Sequence, residues 1–87
     1  MTIKYHKQFK KHFKERVQTN KSSHQRFNER VKLFIEFPND PTLRDHKLTG
    51  KKSQFRAFSI AGDVRVVYFK TEDFIYFIDV GSHNQVY

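Results

Sequence analysis

The 87-residue sequence contains no cysteine, only two prolines and three glycines, and about half as many acids as bases, nine Asp+Glu against 17 Lys+Arg. Each shortage excludes something. Without cysteine there is no disulfide frame, no thiolate metal site and no thiol nucleophile, which fits a reducing compartment. No stretch approaches the ~18 apolar residues of a membrane span. The opening residues Met1-Thr2-Ile3-Lys4-Tyr5-His6-Lys7 meet charge before the apolar core of a signal peptide can form. Neither secretion nor membrane insertion is expected, which leaves the cytoplasm. There is no glycine-rich phosphate loop and no Ser/His/Asp arrangement. The five histidines show no close ligand spacing and no accompanying carboxylate cluster, so neither a metal nor a cofactor is expected.

What remains is aromatic and basic. A chain this short buries only about 60% of its unfolded surface, so residues 1–87 are expected to form one domain around one core. Ten Phe and four Tyr are enough large rings to fill it. The positive charge is concentrated: up to Lys32 there are ten bases and two acids, and from Leu33 onward seven of each. The first third therefore offers one basic face, suited to a phosphate backbone or an acidic partner segment and equally compatible with a solvated lysine-rich helix.

Thr2 to Tyr5 reads as a short strand. Phe9, Phe13 and Val17 recur at four-residue steps, the stripe of an amphipathic helix over about Lys7 to Thr19. A second helix is expected from Ser22, with Gln25 three residues on completing a capping box. Its stripe would be Phe27, Val31, Phe34 and Ile35, and Pro38 and Pro41 stop it. After a polar connection from Asp45 to Lys52 the period changes to two. Three β-branched and aromatic runs follow, centred on Phe55–Ile60, Val64–Phe69 and Phe74–Val80, with links short enough for antiparallel hairpins. The reading is an α+β fold of order β-α-α-β-β-β, in which a two-helix hairpin packs on one face of a twisted antiparallel sheet. The other face must be open or must bind something.

His6, His12 and His24 are expected to be surface histidines. His46 and His83 differ, because each borders the sheet. Asp63 lies at a hairpin tip, Arg56 and Arg65 lie on neighbouring strands, and Tyr87 offers a ring that can stack on a base. These groups supply proton transfer, charge stabilisation and phosphate binding. RNA cleavage by its own 2′-hydroxyl needs nothing more. Solvated strand positions for Arg56 and Arg65, and an ordinary turn role for Asp63, remain open on residue type alone.

Taken in order, Asp45-His46-x-Leu48-x-Gly50, the pair Phe55-Arg56, Asp63-Val64-Arg65-Val66-Val67-Tyr68 and Gly81-Ser82-His83-x-x-Val86-Tyr87 resemble the RelE/ParE toxin superfamily, and most closely its YafQ-like branch. The resemblance spans nearly the whole chain, and its specific part is the C-terminal half. It implies a toxin of a type II toxin–antitoxin pair, a ribosome-dependent endoribonuclease that cuts mRNA. By the same resemblance His83 and His46 are the proton-transfer residues, Asp63 assists one of them, Tyr87 holds a base, and Arg56 and Arg65 contact phosphate. Lys47, Lys51 and Lys52 are expected to bind RNA. The partners implied are a cognate antitoxin, the ribosome and mRNA. This chain departs from YafQ-like sequences at Ala57 and Ser59, where they often carry an acid and a histidine. It departs from RelE at Phe58, where RelE has a lysine. Two alternatives remain: a ParE-like DNA gyrase inhibitor without nuclease activity, against which His83 and Tyr87 count, and a non-catalytic nucleic-acid binding module.

Overall fold

Period-two patterning from Arg56 onward dictates a meander, and the computed structural model, which describes residues 2–87, builds it. The elements are β1 (Thr2–Tyr5), α1 (Lys7–Arg16), α2 (Lys21–Glu36), β2 (His46–Lys47), β3 (Arg56–Ala61), β4 (Val64–Lys70), β5 (Phe74–Gly81) and a terminal helical turn α3 (His83–Val86). The sheet order is β1-β5-β4-β3-β2. Among the described residues no helix is long and apolar enough to cross a membrane.

The expected fold class stands, with one refinement: the sheet is mixed. β1 runs parallel to β5, pairing Thr2 with Phe74 and Tyr5 with Phe77, while the β2–β3, β3–β4 and β4–β5 pairs are antiparallel. Side-chain alternation is the same for either direction, so the pattern revealed a strand at Thr2–Tyr5 but not its partner. The two-residue β2, set in what reads as a polar connection, is too short to give a period.

Both helices pack on one face. Phe9, Val17, Phe27 and Phe34 meet Phe58, Ile60, Val66, Tyr68, Phe77 and Val80 in the main core. Phe34 stacks on Phe58 with ring centroids 4.5 Å apart, and Phe58 and Phe77 are fully buried. Each such side chain contributes roughly 1.5–3 kcal/mol by leaving water. Ile35 does not join its expected stripe. It is 50% exposed, and Phe37 is 62% exposed, because the core-facing rows of α2 follow Phe27, Val31 and Phe34, and Ile35 lies about 100° round the helix from Phe34.

The start of α2 also differs from the sequence reading. Asn20, not Ser22, is the N-cap, its side-chain oxygen accepting the Ser23 N–H at 3.0 Å, and Gln25 reaches forward to Glu29 instead of back. Asn and Ser are equally good caps, so spelling alone does not choose between them. A β-bulge between Val67 and Tyr68 of β4 gives β5 one extra residue and breaks its alternation. Phe77 and Val80 both enter the main core as a result, and Asp79 is buried against α1, accepting from Gln8 at 2.9 Å and His12 at 2.6 Å. His12 is thus a partly buried partner of Asp79 and not a free surface histidine. His6 caps α1, its Nδ1 accepting the Gln8 N–H at 3.0 Å, and His24 packs edge-on against Phe13.

On the opposite face, Leu48, Ala57, Val67 and Val86 form a second small apolar cluster. It fastens α3 over β4 and β5, beside the half-buried Ser59 and Arg65.

Candidate active site

Register places the site. His46 is opposite Ala57, Ser59 is opposite Arg65 and Arg65 is opposite Gly81, so His46, Ser59 and Arg65 share the face away from the helices. The chain leaves β5 at Gly81 and turns immediately into α3. There the Ser82 backbone N–H donates to Gln85 Oε1 at 2.7 Å, half of a reciprocal capping box over Ser82 and Gln85. Lys52 secures the same turn from the other side, its Nζ donating to the Val86 carbonyl at 2.7 Å. Val86 points into the apolar cluster, which leaves His83 and Tyr87 exposed on the outer side.

Tyr87 brings the two distant histidines together. Its ring packs edge-on to His83 with centroids 4.6 Å apart, its hydroxyl is 3.3 Å from His46 Nε2, and the Arg65 guanidinium carbon stands 5.5 Å from its centroid. His46, Lys47, Lys52, His83 and Tyr87 line one shallow cleft. His46 and Arg65 line an adjoining pocket of about 200 Å³.

Hydrogen bonding fixes the His46 tautomer. Nδ1 lies 2.9 Å from the Arg44 carbonyl, which only accepts, so Nδ1 carries the proton and the neutral ring presents its lone pair at Nε2, toward Tyr87. Asp63 binds on both sides: Oδ2 accepts the His83 backbone N–H at 3.3 Å and Oδ1 accepts from Arg65 Nη2 at 3.4 Å. It touches the backbone of His83 and not the imidazole. Arg65, which lines this pocket, keeps its Nε buried without a protein partner, an unspent donor.

Arg56 does not join this group. It alternates with Ala57 and projects to the helical side, where its Nε donates to Asp45 at 2.8 Å, and Asp45 also accepts from the Tyr68 hydroxyl. Burial first, then that hydrogen bond, push the Tyr68 hydroxyl above the usual tyrosine range. Period two puts Arg56 and Arg65 on opposite faces once the Ser59–Arg65 register is known, and the register was not readable from the sequence. Of the three lysines, Lys47 and Lys52 reach the cleft, and Lys51 is exposed on the 3-10 turn Gly50–Lys52.

Sequence reasoning missed two groups. Arg44, which holds His46 through its carbonyl, is the only non-glycine residue with positive φ among those described, at 50°, and nothing in its spelling marks it. Gln85 was legible, since Ser82-x-x-Gln85 spells a capping box. Among the described residues no group of three or more His, Asp or Glu is placed to hold a metal ion.

The same fold recurs in known proteins. The family model described as a bacterial toxin of type II toxin–antitoxin system, YafQ, matches residues 1–87. No curated protein sequence matches the chain. Among solved structures, a copper-bound mutant toxin from Helicobacter pylori is 30% identical, with 100% of this chain and 99% of that one covered and a TM-score of 0.85. The toxin of the Escherichia coli DinJ–YafQ complex is 23% identical over 98% of this chain and 96% of its own, with a TM-score of 0.82. A YoeB/ParE toxin from Agrobacterium tumefaciens has the same fold at 14% identity, over 95% of this chain and 99% of that one, with a TM-score of 0.77. The meander, its carboxy-terminal turn and the full-length match together make this chain a member of the YafQ family of bacterial toxins of type II toxin–antitoxin systems.

Proposed function

We propose that the protein is an endoribonuclease that cuts mRNA on the ribosome by metal-independent acid–base chemistry. The observation that carries the reading is the Tyr87 ring set between the His46 and His83 imidazoles beside the Arg65 guanidinium. An RNA base stacked on that ring brings its ribose and phosphate between the two histidines. His46 Nε2 takes the proton of the 2′-hydroxyl, and the oxygen attacks phosphorus. Arg65 stabilises the pentacoordinate phosphorane. His83 returns a proton to the departing 5′-oxygen, which leaves a 2′,3′-cyclic phosphate and a 5′-hydroxyl. Asp63 is a positioning residue that ties Arg65 to the start of the turn carrying His83. Lys47, Lys51 and Lys52 flank the cleft, and Lys52 also holds the turn. Arg56 has no part in the chemistry.

The basic face of α1 and α2 suits docking on ribosomal RNA, and the bacterial cytoplasm is where ribosomes are met. A second, small antitoxin protein covering the open face would neutralise the toxin, as the DinJ–YafQ complex pairs that relative with DinJ. Paired imidazoles around a stacking ring favour a nuclease over a simple binding module or a gyrase inhibitor.

The test is primer-extension mapping of cut sites in translated and untranslated messages, with wild-type protein, His46→Ala and His83→Ala. Each substitution is expected to lower cutting by about a hundred- to ten-thousand-fold with the fold intact, since both side chains are exposed. Normal cleavage by the His83→Ala variant overturns the assignment. DNA damage with intact mRNA would point to gyrase.

A further inference from the structure

We infer that the RNA strand leaves the cutting site along a groove of three arginines, Arg44, Arg30 and Arg26, which forms a separate phosphate-binding track beyond the catalytic cluster. The inference rests on the nuclease reading for the identity of the polymer.

The pocket containing His46 and Arg65 borders a larger groove of about 590 Å³ between α2 and the β3–β4 corner. Arg44, Ser59 and Gly62 line both, so the two spaces adjoin at these three residues. Arg30 and Arg26 stand one helical turn apart on α2 and continue the line outward. No carboxylate lines either space, and among the described residues none of the three arginines has an acidic partner within salt-bridge distance. Arginines paired with acids would be structural; these remain free to take anions. Arg30 is held in place by donating to the Thr42 carbonyl at 3.0 Å.

Arg44 joins track and site. Its left-handed backbone, φ 50° and ψ 38°, is a conformation that non-glycine residues rarely adopt. That conformation gives its carbonyl to His46 while its side chain lines the groove. One residue therefore sets the base and meets the adjoining backbone. The occupant follows from chemistry. Ser22, Thr42, Ser59 and Gly62 leave the groove almost without the apolar pockets that a docked peptide segment uses for its anchors. A regularly charged, flexible polyanion is what fits: single-stranded RNA.

The experiment uses the full chain carrying His83→Ala to suppress cutting. Fluorescence anisotropy measures binding of a labelled RNA octanucleotide and a dinucleotide over about 50–200 mM salt. Adding Arg26→Gln and Arg30→Gln is expected to weaken octanucleotide binding and flatten its log K against log salt slope by about 1.4, some 0.7 per lost phosphate contact, with dinucleotide binding unchanged. Lys11→Gln with Lys14→Gln on α1 is the control and should leave the slope unaltered. An unchanged slope in the double-arginine variant overturns the track, as does an equal flattening in the control. So does a loss of antitoxin affinity with the RNA slope intact, which assigns the groove to the protein partner. Wild-type mRNA cutting, measured separately, distinguishes the two readings. If it is absent while the slope difference persists, the nuclease falls and the track stands. If it is present while the slope is unchanged, the reverse holds.

Discussion

Gly81→Ala is the most discriminating single change, because this position carries the site without belonging to it. A Cβ built there would lie 2.7 Å from Gln85 Oε1, 2.8 Å from Arg16 Nη1 and 3.1 Å from Gln85 Cβ. The first two are far ends of flexible side chains, so the backbone of β5 survives and the side chains yield. Two hydrogen bonds are then lost, Ser82 N–H to Gln85 Oε1 and Arg16 Nη1 to the Val80 carbonyl. At about 1 kcal/mol net each, the cost is about 2 kcal/mol. In a domain of this size that lowers the melting temperature by roughly 8–16 °C, read by circular dichroism. The released turn carries His83 and Tyr87, so the proposed mRNA cutting should fall by roughly tenfold to a hundredfold from misplacement alone. Because Gln85 is one of the displaced groups, Gly81→Ala and Gln85→Ala should be less than additive by about 1 kcal/mol. A Gly81→Ala melting temperature within about 2 °C of the parent would refute the close approach, and additivity would refute Gln85 as its target.

Other consequences are as specific. Phe58→Ala, at a fully buried ring stacked on Phe34, should cost about 3–5 kcal/mol in denaturant unfolding. Asn20→Ala should cost about 1 kcal/mol of stability by the same measurement, while Ser22→Ala costs less than about 0.5, since only Asn20 caps α2. Tyr68 has its hydroxyl pKa raised by burial and by Asp45. Above pH ~10 the unfolded chain loses the tyrosine proton that the folded one keeps, so stability falls as pH rises, by about 1.4 kcal/mol per unit for this group. Melting temperatures taken from pH 9 to 11 should therefore drop less steeply in Tyr68→Phe than in the parent.

Local signals were legible and long-range ones were not. The strands at Arg56–Ala61, Val64–Lys70 and Phe74–Gly81 followed from period-two runs, and α1 from its Phe9–Phe13–Val17 stripe, because alternation and helical spacing are properties of neighbouring residues. The parallel docking of β1 on β5 unites residues 72 positions apart in sequence, Thr2 with Phe74, and no short-range pattern encodes it. The same division runs through the site. His46, Asp63, Arg65, His83 and Tyr87 were named from sequence and converge, whereas Arg56, of the right chemical type, faces Asp45 and Tyr68 on the far side. Two spellings of one motif make the point most sharply. Ser22-x-x-Gln25 is unused and Ser82-x-x-Gln85 is used, because in the first case Asn20 already caps the helix and in the second the turn out of β5 leaves no competitor.

The sheet's division into a face packed by two long helices and one covered only by a short terminal turn bears on how such a protein changes over generations. Mutations on the outer face touch few of the contacts that keep the domain folded, so the two sets of positions drift nearly independently. A lineage is therefore free to alter what its outer face recognises without renegotiating its interior. It is equally free to lose its activity and persist as a well-folded relic.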